Sequence, residues 1–148
     1  MLSKRAKYAL HALMVLARAR QEGPLPASVI AERARVPAKF LEAILVDLRK
    51  AGLIASRKGR GGGHVLRRSP DAINTAEVFR LFDGAIGLLP CVTHHYYQRC
   101  EECVDEAGCG MHAVFAEVRA ATVDMLKRAT LSDLLAREDR PRRRKAGK

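Results

Sequence analysis

Between Pro26 and Arg67 two short helical segments, a three-residue connection and a basic glycine-rich hairpin follow one another directly, and few folds accept that order. Residues 26–34 read as a helix, with Pro26 tolerated in its first turn because the missing N–H has no partner there anyway. Arg35-Val36-Pro37 is a tight connection. Pro37 then opens a helix to about Lys50, with Leu41, Ile44, Leu45 and Leu48 repeating on one face. Gly52 is a natural stop. Leu53–Ser56 and His64–Arg67 read as two strands, joined through Arg57-Lys58-Gly59-Arg60-Gly61-Gly62-Gly63. This succession predicts a winged helix-turn-helix. The expected fold is mainly α with a small β wing.

Such a unit has a physical use. An α-helix fits the major groove of duplex DNA, and the face of residues 38–50 away from the apolar stripe carries Lys39, Glu42, Ala43, Asp47, Arg49 and Lys50. The hairpin tip offers Arg57, Lys58 and Arg60 for phosphates or a narrow minor groove. Glycines such as Gly61 and Gly62 let the backbone come close. Glu42 has two readings: an acceptor for a cytosine amino group, or a solvated charge paired with Lys39 or Arg49.

The rest of the chain follows the same logic. Ser3 is placed to cap a helix over about residues 4–20, closed by Gly23-Pro24. Asn74 or Thr75 can cap a helix to about Phe82, with Glu77 in its first turn. Residues 83–110 read as loop. A long helix over 111–129 repeats Met111, Val114, Phe115, Val118, Thr122, Met125 and Ala129 at spacings of three and four. That stripe suits a dimer contact; the competing expectation is that it covers the chain's own first helix. Leu131–Ala136 adds a short helix. The expected division is a DNA-binding unit over 1–70, a cysteine loop with dimerisation helix over 71–138, and a disordered basic tail over 139–148.

Charge is unevenly spread. Residues 1–70 hold 15 Lys/Arg against 4 Asp/Glu, residues 71–138 hold 6 against 11, and residues 139–148 hold 6 against 1. A positive field concentrated on the helix–hairpin half points to a polyanionic partner, double-stranded DNA above all. The longest apolar run, Tyr8–Ala17, is too short for a bilayer, and no signal-peptide cleavage pattern follows the N-terminus. The expectation is a cytoplasmic protein with no membrane partner and no small-molecule substrate. No phosphate-binding loop or nucleophile elbow is present, so an enzyme is not expected. The remaining competitor is a winged-helix adaptor that binds protein instead of DNA.

All four cysteines fall in Cys91-x8-Cys100-x2-Cys103-x5-Cys109-x2-His112. Clustering so tight suits metal binding or redox chemistry better than structural stapling. Thiolates and imidazole serve iron–sulfur clusters and zinc alike, and reversible disulfide formation is a third use. Cys109 precedes a helix, whose free N–H groups favour a negatively charged sulfur. Glu101, Glu102, Asp105 and Glu106 act the other way, opposing an accumulation of negative charge. His94 and His95 read as exposed loop residues, with metal binding as their alternative.

Taken in order, Lys7-Tyr8-Ala9-Leu10, Ile30-Ala31-Glu32-Arg33, Phe40-Leu41-Glu42, Leu48–Leu53, the wing Gly59–His64 and Thr130–Leu134 resemble the Rrf-type family of bacterial regulators over about residues 2–136. That family includes an iron–sulfur-cluster regulator, a nitric-oxide-sensitive repressor and a cysteine-metabolism repressor. The resemblance implies a homodimer on a pseudo-palindromic operator, with Lys39, Phe40 and Glu42 at groove-reading positions. It also implies a 2Fe–2S cluster on Cys91, Cys103, Cys109 and His112, with Cys100 competing for Cys103's role; zinc, or no cofactor, are the alternatives. Three departures stand out: Arg60 replaces a proline of the family's wing, His64 a tyrosine, and Lys39 a serine.

Overall fold

The computed structural model describes residues 2–140. Helix α1 (Lys4–Arg18) begins where expected: the Ser3 hydroxyl accepts the Ala6 N–H at 3.1 Å, and the Ser3 N–H donates to Asp83 at 3.0 Å. Its inner face is Ala6, Ala9, Ala12, Leu13, Leu16 and Ala17. Alanine at every turn lets neighbours approach closely, and α1 is the hub that touches α2 (Ala27–Ala34), α3 (Ala38–Lys50), α4 (Thr75–Asp83) and α6 (Leu131–Glu138).

The α2–α3 connection is made by backbone geometry. Arg35 takes a left-handed conformation (φ 53°, ψ 43°), and its N–H turns back to the carbonyls of Ala31 and Glu32. Val36 drops into the core, and Pro37 caps α3. Leu41, Ile44, Leu45 and Leu48 are buried, the face expected from their spacing. Strands β1 (Ile54–Arg57) and β2 (Gly63–Leu66) pair antiparallel, Ile54 with Leu66 through Arg57 with Gly63. The segment before α2 joins them: Leu25 and His64 exchange N–H···O bonds of 3.0 and 2.8 Å. Gly63 makes this closeness workable. With φ +150°, a Cβ built there would lie 2.4 Å from the Leu25 carbonyl.

The core continues past position 70. Ile73, Val78 and Leu131 lie in the same cluster as Leu13, Ile30, Leu41 and Leu48. An Asn74–Glu77 capping box starts α4, and a Thr130–Asp133 box starts α6. Asp139, assigned from the sequence to the basic tail, is held by Arg18 at 2.7 Å beside Glu138. Residues 141–148 of that tail lie outside the described residues.

Helix α5 (Gly110–Arg128) is bolted at one end and bare along one face. Thr75 donates through its hydroxyl to the Leu126 carbonyl and through its N–H to the Ala129 carbonyl, both at 2.8 Å. Val123 is the one buried side chain of α5, joining Ala76 and Ile86 in a second small core. Met111, Val114, Val118 and Met125 stay exposed. The helix leans on α4 and on the turn Pro90–Val92. The competing expectation, that the stripe covers the first helix, is therefore wrong.

Candidate nucleic-acid interface and cysteine loop

The first turn of α3 presents Lys39, Phe40 and Glu42 to solvent, and its last turn presents Arg49 and Lys50. Phe40 is 53% exposed, with the Tyr8 ring at a centroid distance of 6.4 Å. Two of the four acids in this half are already engaged: Arg33 grips both Glu22 oxygens at 2.8 and 3.1 Å, and Arg5 holds Asp47 at 2.7 Å. Asp47, counted from the sequence among outward groove-facing residues, thus ties α1 to α3. Glu42 remains exposed on the basic surface.

At the wing tip Arg57, Lys58 and Arg60 are all exposed. The Gly62 N–H donates to the Gly59 carbonyl at 3.0 Å, and a Cβ at Gly62 would lie 2.4 Å from the Arg57 carbonyl. Gly61 and Gly62 therefore form a tight turn more than a slack loop. His64 sits at the wing base, half-buried, with Nδ1 3.1 Å from the Ser56 hydroxyl. Burial first, then the charge of Arg49, push its imidazole below the ordinary value. Helix α3 packs against the first strand of the wing.

The cysteine loop is the second site. Cys91, Cys100, Cys103, Cys109 and His112 line one open cleft of about 740 Å³, and all four thiols are free. Cys109 is the N-cap of α5, its sulfur accepting the His112 N–H at 3.4 Å. His112 points Nε2 at Glu106, 3.2 Å away, and the Tyr97 hydroxyl donates to the same carboxylate. The Arg99 guanidinium donates to the Cys103 carbonyl at 3.2 Å, pinning the loop's far side. Cys100 is the outlier. It is exposed, its thiol donates to Glu102 at 3.0 Å, and that bond holds the thiol above its usual range.

Three soft sulfurs and an imidazole around one cleft fit an iron–sulfur cluster or zinc in chemistry. They stand around the cleft without converging: among the described residues no three His, Cys, Asp or Glu groups are close enough to hold a metal ion. Sequence reasoning treated Glu106 only as a repelling charge and passed over Tyr97. Nothing in the local pattern announces that Glu106 bridges Tyr97 and His112. His94 and His95 line a different cavity.

The model of the Rrf2 family, iron-dependent transcriptional regulators, matches residues 2–137. The chain belongs to the Rrf2 family. It is 44% identical over 139 residues to an HTH-type transcriptional regulator described as rrf2-like from Rhodobacter capsulatus, covering 92% of this chain and 93% of the relative. It is 30% identical over 138 residues to the HTH-type transcriptional regulator IscR of Erwinia tasmaniensis, covering 93% and 80%. Among solved structures it is similar to CymR, the global cysteine regulator of B. subtilis, with a TM-score of 0.76 and 28% identity over 93% of this chain and 97% of that one. The Rrf2 chain is thus a winged-helix DNA-binding transcription regulator and not an enzyme. None of its described helices is long and apolar enough to cross a membrane.

Proposed function

We propose that this Rrf2 protein is a cytoplasmic, homodimeric repressor that reads a pseudo-palindromic operator and is controlled by a cysteine-ligated 2Fe–2S cluster. Residues 1–70 do the reading. Lys39, Phe40 and Glu42 enter the major groove from the first turn of α3, where helix-turn-helix proteins contact base edges. Arg57, Lys58 and Arg60 take phosphate or minor-groove contacts, with Gly61 and Gly62 keeping the tip low against the backbone. Arg49 and His64 support the wing base. Residues 71–138 sense and dimerise, through the cysteine loop and the bare face of α5.

The observation that carries the sensing half is the single cleft shared by Cys91, Cys103, Cys109 and His112. Those four would hold the cluster, which when bound supplies a one-electron redox couple. Glu106 orients the imidazole, as carboxylates commonly do behind a histidine ligand. Cys100 is the poorest donor of the five, because its thiol is engaged with Glu102, a bond that holds it above its usual range. One feature favours a second reading. Cys100 and Cys103 share a tight turn, the Cys103 N–H donating to the Cys100 carbonyl at 3.2 Å, and a Cys-x2-Cys turn suits zinc or a reversible disulfide.

Anaerobic purification with a visible spectrum and iron and zinc analysis tests the proposal. Serine suits position 109 because its hydroxyl keeps the N-cap of α5. Cys109→Ser should therefore lose the coloured cofactor while holding the thermal stability of the cofactor-free wild type, and Cys103→Ser should lose it too. Cys100→Ser should retain it. Stoichiometric zinc without iron in the wild type would replace the cluster with a zinc-stiffened loop. Metal-free protein whose DNA affinity changes on oxidation would make the thiols themselves the sensor.

A further inference from the structure

A second cavity, of about 150 Å³, lies between the end of α4, the segment 84–96 and the middle of α5. Its polar lining is almost wholly cationic or proton-donating: Arg80, Arg119, His94, His95 and Tyr96, with no carboxylate. Arg119 sits four residues before Val123, on the face of α5 turned towards α4, and its Nε is closed off from solvent without a hydrogen-bond partner among the described residues. A buried guanidinium nitrogen left unpaired is costly and calls for a counter-group. Asp83 lines the neighbouring cleft with Arg119 and accepts the Ser3 N–H. Gly84 shapes the wall: at φ +75°, with a would-be Cβ 3.3 Å from the Tyr96 ring, it lets that ring lie against the backbone.

We propose that this cavity binds a small oxyanion, a phosphate or the carboxylates of a short diacid, between Arg80 and Arg119. Guanidinium groups match such oxygens in planar, paired hydrogen bonds. The end of α4 opposes the anion with about half a negative charge, which two full guanidinium charges outweigh. His94, His95 and the Tyr96 hydroxyl close the remaining sides. The segment 93–96 begins two residues after Cys91, so an anion held here restrains one edge of the cysteine loop.

Thermal unfolding of the full chain tests this, in sodium phosphate, in sodium succinate, and in chloride at matched ionic strength. An anion present at about ten times its Kd should raise Tm by roughly 3–6 °C in a chain of this size. Arg80→Gln and Arg119→Gln should each abolish the rise, while the triple wing variant Arg57→Ala, Lys58→Ala, Arg60→Ala should keep it. A rise with phosphate alone, or with succinate alone, supports the site and identifies its oxyanion. Arg80 is exposed, so Arg80→Gln stays informative if Arg119→Gln fails to fold. The proposal is overturned if neither anion exceeds chloride, or if the rise survives in both glutamine variants. It is also overturned if Arg119→Gln converts a dimeric wild type to monomer and no anion stabilises either form, because the arginine pair then serves a partner chain.

Discussion

Replacing Val118 by aspartate separates a dimerisation face from an ordinary exposed helix face. Val118 is 41% exposed on α5, at a cleft it shares with Phe79 and Asp83 of α4. Complete burial of a valine is worth about 1.5 kcal/mol, so the unburied part is worth about 0.6 kcal/mol, or about 1.2 kcal/mol over two symmetry-related copies. Losing that alone raises Kd roughly eightfold. A carboxylate at the same place does far more, because each buried, unpaired charge costs several kcal/mol. Val118→Ala should therefore weaken the dimer about tenfold or less, and Val118→Asp by at least about a thousandfold. Sedimentation equilibrium at micromolar concentration reads the difference. The Tm of the wild type should rise with concentration, and that of Val118→Asp should not. A monomeric wild type, or an aspartate variant that associates as tightly as wild type, would refute the reasoning.

Lys58→Ala and Arg60→Ala should each flatten the fall of log DNA affinity with log salt by about 0.9, and an unchanged slope in the wing triple variant would remove the wing from the interface. Gly63→Ala should cost about 2–3 kcal/mol of stability in denaturant titration, since it adds left-handed strain to a Cβ placed on the Leu25 carbonyl. The folded imidazole of His64 lies below its ordinary value, so the unfolded chain takes up the proton first. Stability should accordingly fall as pH drops from about 7 towards 5, and His64→Gln should flatten that fall; a parallel pH profile would assign the loss to other groups.

What the sequence made legible was whatever depends on near neighbours. The Ser3 cap, the Leu41–Leu48 stripe and the glycine-rich wing are local patterns with local causes, and each stands where the spacing put it. The α2–α3 turn was legible by position but not by mechanism, because an arginine gives no sign that it will adopt φ 53°. Helix α5 shows the limit most clearly. It carries two apolar faces about 120° apart, one with Val123 and Leu126, the other with Val118 and Met125, and periodicity cannot say which meets α4. The Thr75 bonds to Leu126 and Ala129 decide it. Similarly, Asp47 and Asp139 read as free surface charges until the fold brings Arg5 and Arg18 to them.

Under the proposed reading, Cys109 links sensing to dimerisation through one atom. Its sulfur caps α5 by accepting the His112 N–H, and the residues that follow, Met111 and Val114, begin the exposed stripe. A neutral thiol caps weakly. A ligated thiolate adds negative charge at a helix N-terminus, worth about 0.3–1 kcal/mol in exposed settings and up to about 2 kcal/mol when partly buried. That difference bounds what this atom alone can transmit: at most about thirtyfold between cofactor-loaded and cofactor-free protein. Cys109→Ser keeps a cap but never carries the charge, so its dimer affinity should match the cofactor-free wild type under both conditions. A serine variant that dimerises like the loaded wild type would show that the first turn of α5 does not carry the signal. The link would then have to run through Cys91 and the segment that follows it.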